Sequence, residues 1–219
     1  MKKAIISASV LGATPQNVGK EIKKFKEAGI QWIHFDVMDG KFVKNTSFET
    51  PFLKEVCEKV ELVKDVHIMI ESPLSRIEEY ADCGADYLTF HYEACKDASE
   101  AKEVVNKIHT LKMKAGISVK PNTSIEKIFP FLKDLELVLI MSVEPGYGGQ
   151  RFMDHSIEKI AFLRNEINQN KYPTLISVDG GINDKTAPLC LNAGVDILVV
   201  GQYLFNHEDF LERYHRIVE

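Results

Sequence analysis

Short β-rich apolar runs alternate with helical patterns from one end of this chain to the other, and that alternation limits the folds open to it. Strands are predicted at Ala4–Ser9, Trp32–Val37, Leu62–Met69, Tyr87–His91, Lys114–Val119, Leu137–Val143, Thr174–Asp179 and Ile197–Val200. Between them, 3.6-residue periodicity predicts helices at Asn17–Ala28, Leu74–Cys83, Ser99–Lys112, Ser156–Asn168 and Lys185–Asn192. Several close on a glycine that leads into the next strand, as at Ala28-Gly29, Cys83-Gly84 and Ala193-Gly194, which suits the left-handed residue that ends many helices. Strands begin roughly every 27 residues, the length of a βα unit, and eight such units make one (β/α)8 barrel. At 219 residues the chain is near the low end for that fold, so residues 1–219 are read as one barrel domain. An open doubly wound sheet would gather its polar residues at one switch point. Here they end many strands, and the barrel is preferred.

Apolar runs fall well short of the roughly 20 residues that span a bilayer, so no membrane segment is expected. A formal net charge of −5 gives no reason to expect a nucleic-acid partner. Met1-Lys2-Lys3 followed by Ala4 to Ala13 has the outline of a secretory signal. The same residues are needed as the first barrel strand, and nothing later replaces them. Cys57, Cys83, Cys95 and Cys190 are widely spaced and form no C-x-x-C pair, so they read as reduced thiols in a cytoplasmic protein.

The chemistry-bearing residues sit at predicted strand ends. In a strand, residues i and i+2 share a face, so His34 and Asp36 of His34-Phe35-Asp36 can reach one ion together. Asp65-Val66-His67 repeats the pattern, and Asp179 precedes Gly180-Gly181. Taken singly, each has an ordinary explanation: a packed histidine, or a turn-forming aspartate. In a barrel all of them reach one mouth, where His34, Asp36, His67 and Asp179 form a candidate site for one divalent metal ion. Nitrogen and oxygen ligation suits zinc, iron(II), manganese or cobalt. Glycines recur after three consecutive strands, at Gly146-Tyr147-Gly148-Gly149, at Gly180-Gly181, and at Gly201-Gln202. Their backbone N–H groups, helped by helix N-termini, would suit a phosphate. Met38, Met69 and Met141 lie near strand ends too; they are either core filling or a dry roof over the metal.

These segments resemble the ribulose-phosphate 3-epimerase family from Ser9 to about Phe205. The resemblance is carried by Ala8-Ser9-Val10-Leu11, His34 through Val43 with Asn45, Asp65 through Met69, and His91-Tyr92-Glu93-Ala94. It continues in Met141 through Gln150 with Phe152, and in Val178 through Ile182. It implies a metal-dependent epimerase acting on a phosphorylated ketose, D-ribulose 5-phosphate and D-xylulose 5-phosphate being the expected pair, and a homo-oligomer. Asp36 and Asp179 would be the acid–base pair, Ser9 and His67 would contact the sugar, and the three glycine loops would hold its phosphate. The chain departs from the family pattern at Ala8, at Gly12 and Thr14, at Lys44, Thr46 and Ser47, at Thr50, at Lys120 and Ser124, and at Gln202. None of these is a metal ligand. Lys44, Lys120 and Gln202 bear on which sugar is taken, so a ketohexose phosphate such as D-allulose 6-phosphate is the nearer alternative. A non-catalytic phosphosugar-binding barrel is the farther one. Lys120 either aims its ammonium into the mouth or is a solvated or ion-paired lysine.

Overall fold

The computed structural model describes residues 4–14, 16–205 and 207–218; Met1-Lys2-Lys3 of the signal-like outline lie outside them. Eight parallel strands, β1 (Ile5–Ser9), β2 (Trp32–Met38), β3 (Val63–Met69), β4 (Tyr87–His91), β5 (Lys114–Val119), β6 (Leu137–Met141), β7 (Leu175–Asp179) and β8 (Ile197–Val200), pair in sequence order. The sheet closes where β8 pairs back onto β1, with Ile5 beside Ile197. This is the (β/α)8 barrel expected from the spacing. Every expected strand is present, with β6 ending at Met141, opposite Asp179, instead of at Val143.

The helices are α1 (Val18–Glu27), α2 (Thr50–Lys59), α3 (Ile77–Asp82), α4 (Ala98–Thr110), α5 (Ser156–Asn170), α6 (Thr186–Ala193) and α7 (Phe210–Val218). The β5–β6 crossover is built of 3₁₀ turns over Ile125–Asp134, with Pro130 inside. Proline has no N–H to give and crowds the preceding turn, which disfavours a regular α-helix there. The expected helix at Leu74–Cys83 is broken into a 3₁₀ turn at Pro73–Ser75 followed by α3. At the end of α6, Gly194 takes the left-handed conformation (φ 109°) that the sequence anticipated.

Strand alternation divides the apolar residues into two bodies. On β2, Ile33, Phe35 and Val37 join the layer between strands and helices, whereas Trp32 joins Tyr87, Leu137, Leu139, Ile197 and Val199 inside the barrel. Side chains two apart share a face, so His34, Asp36 and Met38 follow Trp32 inward. Each large aliphatic side chain removed from water contributes about 1.5–3 kcal/mol, and the apolar floor below His34 makes its polar layer stable to build. All four cysteines are free thiols. Among the described residues, no helix is long and apolar enough to cross a membrane.

Candidate active site

Register brings the polar groups together. Asp36 stands beside His67, His34 beside Asp65, and Ser9 beside His34, while Met141 flanks Asp179. Asp36 is the centre of the cluster. Its Oδ1 lies 3.3 Å from His34 Nε2 and 3.1 Å from His67 Nδ1, and its Oδ2 accepts from Ser9 Oγ at 3.2 Å. One ligand atom from each of His34, Asp36, His67 and Asp179 falls within 4.8 Å of all the others.

The donors fit a cation for a reason visible in their hydrogen bonds. Asp65 Oδ2 accepts from Ser7 Oγ at 3.0 Å and lies 2.8 Å from His34 Nδ1. With the His34 hydrogen committed at Nδ1, the Nε2 lone pair of a neutral ring faces the Asp36 carboxylate. Two acceptors that close repel unless a cation lies between them or the ring takes a second proton. For the protein groups alone the second proton is favoured: burial opposes it, but Asp65 and Asp36 hold His34 well above the usual imidazole range. Burial keeps His67 below that range, against the pull of Asp36. The two carboxylates diverge. Burial opposes ionisation of Asp36, yet His34 and His67 outweigh it and hold its carboxyl well below the usual carboxylate range. Burial, then the Asp36 charge, push Asp179 up. A divalent ion would offset both penalties at once, so the residues present fit one.

A cavity of about 430 Å3 opens above the cluster. Its wall holds Ser9, Asp36 and Asp179, the methionines Met38, Met69 and Met141, and the glycine loops Gly146-Tyr147-Gly148-Gly149, Gly180-Gly181 and Gly201-Gln202. His34 and His67 are fully buried behind that wall. The three methionines are nearly buried, Met38 and Met69 packing with Val43 and Met141 with the barrel interior. Gly181 has φ 63°, and a β-carbon there would lie 2.6 Å from the Phe152 backbone nitrogen, so only glycine lets β7 turn this tightly. Gln202 packs over Gly149, where a β-carbon would stand 2.6 Å from its Oε1. Among the described residues α5 begins at Ser156 and α6 at Thr186, a few positions past the glycines of the first two loops, so the glycine N–H groups along the cavity belong to loops.

Lys120 sits next to the main cavity, in a hollow that shares Gly146 and Tyr147 with it. Its Nζ lies 4.2 Å from the centre of the Phe42 ring, and Lys41 and Lys44 line the same hollow. The aromatic face provides a favourable seat for the ammonium. Three polar neighbours of the site were given no role from the sequence: Asp65, His91 and Glu93. The signal was available, since Asp65 shares a strand face with His67 and His91 ends β4 on the inward side.

Fold and site together define a (β/α)8-barrel protein with a divalent-metal type of ligand set beneath a glycine-lined cavity. The model of the Ribulose-phosphate 3 epimerase family matches residues 5–205, and the chain belongs to that family. Among its relatives, the ribulose-phosphate 3-epimerase of Chlamydia pneumoniae is 41% identical over 210 residues, covering 94% of this chain and 90% of the relative. That of Methanocaldococcus jannaschii is 40% identical over 204 residues, with coverage of 93% and 85%. That of Bacillus subtilis (strain 168) is 37% identical over 205 residues, with 93% of each covered. Among solved structures, 3-keto-L-gulonate-6-phosphate decarboxylase from Vibrio cholerae superposes with a TM-score of 0.73 at 10% identity, covering 99% of this chain and 96% of that one. At that identity the likeness is one of fold.

Proposed function

We propose that this chain is a metal-dependent 3-epimerase that interconverts D-ribulose 5-phosphate and D-xylulose 5-phosphate. The observation that carries the reading is that Asp36 and Asp179 belong to one ligand cluster and line the same cavity. Epimerisation at C3 removes a proton α to the C2 carbonyl and returns one to the opposite face. Two carboxylates flanking one bound sugar can do both without turning the substrate. For the protein groups alone their environments drive the two carboxyls apart, Asp36 below the usual carboxylate range and Asp179 up to about 7; such divergence suits a base and an acid working as a pair. Ser9, hydrogen-bonded to Asp36, orients that carboxylate and stands where a sugar hydroxyl would pass.

His34, Asp36, His67 and Asp179 would hold one divalent ion, zinc, iron(II), manganese or cobalt, which when bound supplies Lewis-acid stabilisation of the enediolate charge. His67 serves through that ligand position. The three methionines exclude water above it. The loops at Gly146–Gly149, Gly180-Gly181 and Gly201-Gln202 would receive the phosphate through backbone N–H groups. A cytoplasmic location belongs to the same proposal, because four free thiols suit a reducing compartment, and one relative, from Oryza sativa, is named as a cytoplasmic isoform. Self-association is proposed on the family resemblance, and sedimentation equilibrium tests it.

The test uses purified protein stripped of metal and reconstituted with each of the four ions. D-ribulose 5-phosphate and D-allulose 6-phosphate are compared by kcat/KM. Metal-dependent turnover with preference for the pentulose supports the reading. Preference for the hexulose moves the specificity, and silence on both with every ion overturns it.

A further inference from the structure

The hydrogen-bonded network does not stop at the four ligand-type groups. His67 Nε2 lies 2.9 Å from His91 Nε2, and His91 Nδ1 lies 3.3 Å from Glu93 Oε2. The other oxygen, Glu93 Oε1, accepts from the backbone N–H of Lys120 at 2.8 Å and from Thr123 Oγ1. That loop is fastened in turn by Lys159 of α5, whose Nζ donates to the carbonyls of Lys120, Pro121 and Thr123 at 3.1, 2.6 and 2.8 Å. His91 is fully buried. His91, Glu93, Thr123 and Lys159 are all absent from the cavity wall, so contact with substrate does not explain this chain of contacts.

With both rings neutral, counting hydrogens along it leaves one arrangement. A carboxylate that already accepts from an amide and a hydroxyl has no hydrogen to give, so the His91 contact needs the hydrogen on His91 Nδ1. A neutral His91 then offers a lone pair at Nε2, and the contact with His67 needs the hydrogen on His67 Nε2. His67 is left with its Nδ1 lone pair 3.1 Å from Asp36 Oδ1, inside the ligand cluster.

We propose that His91 and Glu93 are positioning residues that hold His67 in its Nε2–H tautomer, so that Nδ1 is presented to the metal. The inference rests on the metal-site reading of the cluster given above. It assigns a purpose to three features that the reaction itself does not use: a second buried histidine behind the first, a carboxylate saturated by loop donors, and a lysine spent on three backbone carbonyls. Partners of this kind raise the affinity of a metal site by about 10–100-fold.

Two measurements on zinc-loaded protein test it. Two-bond 1H–15N correlation spectra of histidine-labelled protein should give His67 protonated at Nε2 and His91 protonated at Nδ1. Finding His67 protonated at Nδ1, or His91 protonated at Nε2, overturns the proposal. Zinc affinity, read by competition with a chromophoric chelator, should fall about 10–100-fold in His91→Leu and recover in His91→Gln, whose carboxamide accepts from His67 and donates to Glu93. A folded His91→Leu protein with wild-type affinity overturns it; if that variant does not fold, the wild-type tautomers decide alone. Neither readout needs a substrate. A wild-type protein that epimerises nothing yet shows these tautomers and this order of affinities would overturn the epimerase reading and support the positioning role. An active enzyme with the opposite tautomers would do the reverse.

Discussion

Replacing Asp179 with Asn should make the metal-free protein more stable while nearly abolishing its activity, and both signs follow from the same carboxyl. Asp179 is held above its ordinary value of 3.8 by burial and by the Asp36 charge. A group whose value is raised by folding binds its proton more tightly in the folded state. Its contribution to stability is complete below the unfolded value and is lost as pH rises through the folded one. Each tenfold weakening of the acid costs the folded protein about 1.4 kcal/mol once it must ionise. In a domain of this size that is about 3–6 °C of melting temperature, at about 2–4 °C per kcal/mol. Asparagine keeps the shape and cannot ionise. In chelator-treated protein, the melting temperatures of wild type and Asp179→Asn should therefore converge below about pH 4 and separate as pH rises, the variant melting higher. Added zinc should raise the wild type above the variant, which lacks a ligand. Under turnover conditions kcat/KM should drop about 10²–10⁴-fold, the usual contribution of a general acid or base. Parallel melting curves across pH, or a metal-free variant less stable than wild type at pH 8, would refute the electrostatic reasoning.

Three further outcomes are expected. Gly181→Ala forces a side chain into φ 63° with its β-carbon 2.6 Å from the Phe152 nitrogen. The left-handed backbone alone costs about 1–2 kcal/mol, so differential scanning calorimetry should show a loss of at least that much, accompanied by a higher KM. Lys120→Ala should leave kcat and KM unchanged, because its ammonium rests on Phe42; denaturant melts should register only about 0.5–1 kcal/mol. Ser142→Ala removes a buried hydroxyl placed 2.8 and 2.7 Å from the carbonyl oxygens of Asp179 and Gly180. It should cost about 1 kcal/mol in urea unfolding and lower kcat through a less firmly held Asp179.

The strands were legible because barrel strands are covered on both faces. Trp32–Met38 and Leu137–Met141 are buried throughout, and such runs stand out even without alternation. Helices were legible where a glycine punctuated them, as at Gly194. The helix α2 carries no such mark: it starts at Thr50 with Pro51 in its first turn, and Val60 follows Lys59 in an extended conformation with no glycine. At Ile125–Asp134 the apolar period is helical, but Pro130 imposes 3₁₀ turns that a hydrophobic pattern does not reveal. The site residues were readable from position at strand ends. Strand position also turns Asp65 and His91 inward, but which groups they hold is not legible, because their contacts with His34, His67 and Glu93 depend on cross-strand register and on the Lys120–Thr123 loop, which no local pattern encodes. Lys120 was ambiguous for a related reason: its seat on Phe42 joins residues 78 positions apart, 42 and 120.

The central claim is that two carboxylates on opposite sides of the sugar exchange the proton at C3. It is tested most directly by running the zinc-reconstituted protein on D-ribulose 5-phosphate in deuterated water and reading the product by mass spectrometry and proton NMR. The expected product is D-xylulose 5-phosphate carrying a single deuterium at C3 from the earliest turnovers, with no label incorporated by Asp36→Asn or Asp179→Asn. Product formed without deuterium at C3, or full labelling by either variant, would contradict it.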